Sequence, residues 1–501
     1  MVSVVLGSFM KKSLLLLSLL AVWPITALAQ SPAVSALQSF IQEKQQMPVL
    51  DGALWAGVAA YAKQPDEPLF AWHERTRLTP ASTLKLLTTA AALETFGPNH
   101  RFETRLYATV APDENGVLSG ALYLQGGGDP TLGSARVTGA ESWQNVVQKW
   151  VTAVQKAGIK RIEGPIYVDV SAFEGPSIAP KVNWENMGNY YAAPLSPLCF
   201  NDNSFEIHFQ PELRANQQVD VASTTPQIAG LTLQSFVTTD GLSKKDNAYV
   251  YAAPKQYELN IFGTIPTSVT GFTIKAALPD PALFAGQMLR QALQEAGVEV
   301  TAPAQTTADA PDYSQMQLLH TYQSPLLKDI VVIVNKRSFN LYADMLLRQL
   351  ALHAGKKGSL ENGLAELYSF LQKNKIAGPT DAVIYDGSGL ARDNLLTPQT
   401  LLNTLVFMSK SPYFKEYYNS LATPDDRGDL LVLRRFLKPL KRVSQVRVKG
   451  GTIDSVKTAA GYVYDSRGQL IAFVLMANNL ASKDESLFRF HEDVLKKLIA
   501  L

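Results

Sequence analysis

Pro80-Ala81-Ser82-Thr83-Leu84-Lys85-Leu86-Leu87 decides how this 501-residue chain is read. The run continues through Thr88 to Leu93 with neither Gly nor Pro and reads as the first turns of a buried helix. On a helix, positions i and i+3 share a face, so the Ser82 hydroxyl and the Lys85 amine can touch. A hydroxyl is a weak nucleophile until a base takes its proton. An amine becomes that base when burial or a neighbouring cation lowers its pKa from about 10.4. The same spacing also describes an ordinary exposed helical Ser and Lys, and a second copy, Ser8 to Lys11, lies near the N-terminus. Later segments decide between the two readings.

Before this run, Ala33 to Gln46 reads as a short helix. Gly57 to Ala62 and Leu69 to Trp72 read as strands joined by a turn at Gln64-Pro65-Asp66-Glu67. Further upstream, Lys11-Lys12, the apolar run Leu14 to Val22 and Ala27-Leu28-Ala29 make the three parts of a cleavable export signal. Residues 1–29 are therefore expected to be removed, leaving Gln30 first, with Met10 an alternative start to Met1. Pro24 interrupts the apolar stretch, which is shorter than the ~20 residues a membrane span needs.

Beyond about Arg101 the texture changes. Short β-like runs (Thr104 to Val110, Leu118 to Leu124, Ile166 to Val170, Phe205 to Phe209, Leu231 to Val237) alternate with Pro- and Gly-rich turns. One amphipathic helix, near Trp143 to Ala157, interrupts them. Helical patterns return at Pro325 to Val334, Leu341 to His353, Leu360 to Lys373 and Pro398 to Asn419. A two-strand unit follows over Val446 to Met476, turning at Asp465-Ser466-Arg467-Gly468, and Phe488 to Leu501 reads as an amphipathic terminal helix. The expected fold is α/β, with residues 30–100 and 305–501 forming one unit. Residues 101–304 form a mostly β insertion of one or two domains, the inner one at approximately 126–199.

Composition excludes several classes. Hydrophobic residues are 46%, charged residues 18% and net charge +2, an ordinary folded balance without the dense basic run a nucleic-acid site needs. Lys356-Lys357 and Arg434-Arg435 to Lys441-Arg442 read as solvated faces or contacts to anionic envelope material. Cys199, the only cysteine, permits no internal disulfide or cysteine zinc site and reads as a small buried side chain. The six histidines show no ligand spacing, so no metal and no cofactor is expected.

Two segments answer the Ser82–Lys85 question. Ser338-Phe339-Asn340 precedes the apolar helix pattern of Leu341, Met345, Leu346 and Leu347. It reads either as a helix N-cap or as a polar loop whose hydroxyl relays a proton and whose amide holds a substrate backbone. Lys449-Gly450-Gly451-Thr452 ends the alternating run Val446-Arg447-Val448. It reads as a bulge with an exposed Lys, or as a sheet edge that accepts an extended peptide whose carboxylate Lys449 attracts.

The order Ser-x-x-Lys, Ser-x-Asn, Lys-x-Gly resembles the signature of penicillin-binding proteins and serine β-lactamases. The chain resembles the class C low-molecular-weight penicillin-binding proteins, the D-alanyl-D-alanine carboxypeptidase/endopeptidase family with inserted domains. Four further blocks are similar to that family's: Leu122 to Leu132, with Gly127-Gly128-Asp129-Pro130-Thr131; Tyr190-Tyr191-Ala192-Ala193-Pro194; Asp386-Gly387-Ser388-Gly389-Leu390 with Arg392-Asp393-Asn394; and Ala460-Gly461-Tyr462-Val463. Ser82 and Ser338 lie 256 residues apart (338 − 82), far more than in β-lactamases without inserted domains.

The resemblance implies a β-lactamase-like transpeptidase fold and a serine peptidase acting on peptidoglycan stem peptides in the periplasm. Ser82 would be the nucleophile and Lys85 its base. Ser338 and Lys449 would pass the proton to the leaving amine, and Asn340 would hold the substrate amide. The Ser82 and Thr452 N–H groups would form the oxyanion hole. Gly450, Gly451, Thr452 and Arg392 would contact substrate. β-Lactams would acylate Ser82 as covalent inhibitors. Peripheral membrane association and oligomeric state stay open. One departure stands out: Gly450 replaces the family's usual Thr, whose hydroxyl helps bind the terminal carboxylate. A non-catalytic cell-wall scaffold on the same fold, or an esterase using the Ser–Lys pair, are the competing readings.

Overall fold

In a computed structural model, residues 31–424, 426, 445–481 and 485–501 are described. The expected export signal and the basic stretch from Arg434 to Arg442 lie outside these residues.

The two ends of the chain build one sheet. Its five antiparallel strands run in the order Arg447–Ile453, Val456–Tyr464, Leu470–Asn478, Leu54–Tyr61, Gln64–Trp72. Helices cover both faces, so the inner strands are apolar on both sides. Phe473 and Leu475 enter one core, with Trp55, Phe490 and Leu495 beneath the helices Pro32–Lys44 and Glu485–Ile499. Val474 and Met476 enter the other, beneath Lys85–Phe96 and Pro398–Ser409. Every residue of Lys85–Leu93 is buried, because the helices Leu327–Lys336, Asn340–His353, Leu360–Lys373 and Phe414–Ser420 pack in the same layer.

Three local expectations change. Gln64-Pro65-Asp66-Glu67 belongs to the second strand instead of a turn. The C-terminal unit has three strands, because the chain also turns at Asp454-Ser455, where Ser455 takes φ 60° without a Gly to announce it. Ser82 lies in a 3₁₀ turn, Ala81–Leu84, and the α-helix begins only at Lys85.

The insertion holds a second five-stranded sheet, ordered Ala304–Thr307, Ile166–Asp169, Leu122–Gly126, Glu103–Ala108, Gln317–Gln323. Its last strand pairs with Glu103–Ala108, so the inserted sheet takes in residues beyond 304. Trp143–Lys156 is the expected helix. A second, Pro281–Glu295, lies where Pro was read as punctuation; Asp280 caps it through Leu283 N, and Pro281 sits in its first turn. The all-β part consists of two three-stranded sheets between Ser204 and Ala277. This differs from the expected inner unit at 126–199, where Ile166–Asp169 pairs in parallel with Leu122–Gly126 and belongs to the larger sheet.

Candidate active site

The 3₁₀ turn sets up the first contact. With three residues per turn, side chains at i and i+3 eclipse. Lys85 Nζ lies 2.9 Å from Ser82 Oγ. Lys85 is fully buried and also donates to Asn340 Oδ1 at 2.7 Å and to Ser388 O at 2.5 Å, one acceptor for each ammonium proton. Burial lowers its pKa to about 8, against the opposing pull of Asp344 and Asp386.

Those two carboxylates also hold the loop that faces Lys85. Asp386 accepts from Gly389 N (2.7 Å), Ala391 N (2.6 Å) and Asn394 Nδ2 (2.9 Å), while Asp344 accepts from Gly387 N at 2.7 Å. Burial pushes the Asp344 carboxyl up to about 7, reinforced by Asp386, and raises Asp386 as well. Gly389, at φ 81°, lies so close to the Ser82 turn that an added Cβ would stand 1.9 Å from Ala81 O.

The second Ser–Lys pair comes from two distant segments. Ser338 takes φ 56° just before the Asn340–His353 helix, and its Oγ accepts from Lys449 Nζ at 2.9 Å. Lys449 is 2% exposed and also donates to Gly450 O at 2.7 Å. The bulge with an exposed Lys is thus excluded. So is a side-chain N-cap: Phe339 holds that position without a capping bond. Asn340 instead joins Lys85 to the insertion, its Nδ2 donating to Tyr191 O at 2.8 Å.

Lys449 and Gly451 lie on the terminal strand of the first sheet. A Cβ on Gly451 would fall 2.2 Å from Thr458 Oγ1 and 2.9 Å from both Pro80 O and Ser82 N, so only Gly lets this strand close on the Ser82 turn. Thr458 Oγ1 donates to Pro80 O at 2.8 Å and ties the turn to the sheet.

Ser82, Ser338, Asn340, Thr452 and Arg392 all line one cleft of about 650 Å³. Lys85 and Lys449 lie behind its wall. Arg392 Nη1 donates to Asp454 O at 3.0 Å across the rim. The opposite wall comes from the insertion, with Asn183, Glu185, Tyr190, Tyr249 and Tyr251. Of these wall residues only Tyr190 lay in a recognised block, Tyr190 to Pro194, and neither the other four nor Asp344 and Asp386 as partners of Lys85 emerged from the sequence. The Asp386 loop was recognised as a block, but a helical Asp such as Asp344 has no local pattern that marks it as buried.

Cys199 is buried and its thiol is pushed up to about 12 by that burial. Among the described residues, no group of three or more His, Cys, Asp or Glu is placed to hold a metal ion, and no helix is long and apolar enough to cross a membrane.

A Ser–Lys pair on a helical layer, closed by a second Ser–Lys pair against an antiparallel sheet, marks a serine acyl-transfer enzyme of the penicillin-binding, β-lactamase-like fold. The chain belongs to the D-Ala-D-Ala carboxypeptidase 3 (S13) family, whose model matches residues 37–496. It is accordingly a hydrolase of the serine-type D-Ala-D-Ala carboxypeptidase class. A D-alanyl-D-alanine carboxypeptidase of Actinomadura sp. (strain R39) is 26% identical over 480 residues, covering 93% of this chain and 85% of the relative. D-alanyl-D-alanine carboxypeptidase DacB of Haemophilus influenzae is 25% identical over 413 residues, covering 82% of each. The crystal structure of penicillin binding protein 4 from Haemophilus influenzae superposes with a TM-score of 0.77 at 22% identity, over 93% of this chain and 99% of that one, and shows the shared fold.

Proposed function

We propose that Ser82 forms an acyl-enzyme with the D-Ala-D-Ala ends of peptidoglycan stem peptides. Lys85 in its uncharged form keeps two protons, for Asn340 and Ser388, and turns its lone pair to the Ser82 hydroxyl. With a pKa of about 8, roughly a tenth of it is uncharged at neutral pH. Ser82 Oγ bonds to the carbonyl carbon, the peptide C–N bond breaks, and the Ser338–Lys449 pair delivers the proton to the leaving amine. The Ser82 and Thr452 N–H groups hold the oxyanion, and Asn340 the substrate amide. Thr452 and Arg392, on the cleft wall, take the terminal carboxylate beside the backbone of Gly450 and Gly451. Water then releases the acyl group, and the enzyme resets. A β-lactam acylates the same oxygen and stays.

The observation that carries this reading is the threefold coordination of buried Lys85. It places a base of lowered pKa on one hydroxyl at the floor of a cleft. We place the enzyme outside the cytoplasm, in the periplasm, exported by residues 1–29. Residues 30–100 and the C-terminal part form the peptidase domain, and the insertion supplies the far wall of the cleft. The non-catalytic scaffold reading rests on Gly450 alone and is not favoured. Labelling with a fluorescent penicillin tests the proposal. Wild-type protein is labelled and Ser82→Ala is not; an unlabelled, folded wild type overturns it. Products from purified muropeptides then separate trimming of D-Ala from cleavage of cross-links.

A further inference from the structure

A row of aromatic rings leaves the cleft across the outer face of the insertion. It lies on the sheet of Thr232–Asp240, Glu258–Pro266 and Asn247–Tyr251. Val237, Ile261 and Val250 point the other way and are buried. Phe236, Phe262 and Tyr249 stand opposite one another in the ladder and are 48%, 45% and 37% exposed. Phe236 and Phe262 stack at 4.8 Å with planes 10° apart. Tyr251 meets Phe262 at 5.7 Å, and Trp184 meets Tyr251 at 4.7 Å. Trp184 is 69% exposed. At the near end, Tyr249 and Tyr251 line the same cleft as Ser82.

The solvent face of a sheet ordinarily carries polar side chains, and a continuous exposed apolar patch marks something that covers it. On this face the charged Asp240 and Glu258 lie towards the strand ends, and the immediate neighbours of the rings are Gln234, Thr238, Asn260, Thr264 and Asn247. These neighbours are uncharged amides and hydroxyls, able both to donate and to accept. Rings interleaved with such groups suit a sugar chain, whose C–H faces lie on aromatic rings while its hydroxyl and acetamido groups take hydrogen bonds.

We propose that this row is a saccharide-binding platform for the N-acetylated glycan to which the stem peptide is attached. The inference rests on the proposed function. A peptide held at Ser82 is covalently tied to its glycan a few residues away, and the row starts in the cleft where that peptide would lie. The glycan is the one ligand that substrate binding itself delivers to this face, which favours it over a protein partner.

The full chain tests this directly. In Phe236→Ser/Phe262→Ser, both changes lie on an exposed face. The rate of labelling by fluorescent penicillin and the KM for a glycan-free D-Ala-D-Ala peptide stay within about twofold of wild type, while the KM for glycan-linked peptidoglycan rises about tenfold. A peptide-free N-acetylglucosamine tetramer binds the wild type saturably in saturation-transfer NMR, and Trp184→Ala weakens that binding at least fivefold. Equal KM changes on both substrates, no change on either, or no saturable binding of the tetramer by wild type overturns the platform. So does a concentration-dependent dimer that the double substitution dissolves, because a second copy then covers the row. Absence of penicillin labelling in wild type sinks the acyl-enzyme reading instead, and the tetramer titration still judges the platform by itself.

Discussion

Lys449 Nζ donates to Ser338 Oγ at 2.9 Å, although 111 residues separate them. The contact puts a nearly buried ammonium behind a hydroxyl that faces the cleft. It gives that hydroxyl a polarised hydrogen-bond partner on the side away from substrate. In the proposed mechanism this hydroxyl would pass the proton to the departing amine.

Ser338→Ala removes that hydroxyl and leaves Lys85 with Ser82, Asn340 and Ser388. Proton transfer by a positioned group is worth about 10²–10⁴-fold. Acylation by a D-Ala-D-Ala peptide is expected to fall at least about 100-fold, while the thermal midpoint moves little. Stopped-flow acylation rates measure this. An unchanged rate would mean that the proton leaves by another route.

The sequence made this half of the site legible because its residue types and spacings are unusual in combination. Ser-x-x-Lys, Ser-x-Asn and Lys-x-Gly each have a bland local reading, and only their order favours chemistry. The rest was hidden because it depends on contacts between distant segments. Asp344 looks like any acidic residue on a helix, yet it holds Gly387 N and lies beside Lys85. The stretch around Pro281 was read only as part of a Pro- and Gly-punctuated β region, yet Pro281 starts a helix, since a first-turn Pro removes only an N–H that has no helical partner. The inner β unit was misplaced because Ile166–Asp169 pairs with a strand before the Trp143–Lys156 helix, a crossover that local alternation cannot report.

Asp344→Asn tests how the base is tuned. The Asp344 charge raises the Lys85 pKa, opposing the burial that lowers it to about 8. Asn can still accept from Gly387 N through its own Oδ1, so the loop is kept while the charge is lost. The Lys85 pKa then falls further, and the rising limb of acylation rate against pH moves to lower pH. Burial and Asp386 also raise the Asp344 carboxyl, so it and Lys85 titrate as a pair and the gain grows as Asp344 ionises. A rate profile from pH 6 to 9 shows it, and an unshifted limb would remove Asp344 from any part in setting the base.

Gly450→Thr tests the departure from the family pattern. Position 450 is two residues before Thr452 on the strand and so shares its face, and Thr452 lines the cleft. A hydroxyl there is expected to reach the terminal carboxylate of a peptide bound as proposed. One charge-assisted hydrogen bond contributes about 1.5–3 kcal/mol. The KM for a peptide with a free C-terminal carboxylate is expected to fall about tenfold or more, and that of its C-terminal amide to stay the same. Equal KM values for Gly450→Thr and wild type on the free acid would show that Thr452 already fills this role.

His491 makes a prediction about stability in acid. It is 4% exposed, and its Nε2 accepts from Trp55 Nε1 at 3.0 Å, beneath the terminal helix. Burial drives its pKa from 6.5 down to about 3. The unfolded chain therefore takes up a proton here below about pH 6.5, whereas the folded chain refuses it until near pH 3. In that window the unfolded state binds more protons, so stability falls as pH falls, by about 1.4 kcal/mol per pH unit from this residue. His491→Gln keeps an acceptor for Trp55 and removes the titration. Urea unfolding at pH 6.5 and pH 5 is expected to show a drop about 2 kcal/mol smaller in His491→Gln than in wild type. The raised carboxyls of Asp344 and Asp386 act in the opposite direction but are common to both proteins, so the difference between the two drops isolates His491. Equal drops in the two proteins would mean that His491 is protonated as readily in the folded state as in the unfolded one, and that water reaches it beneath the terminal helix.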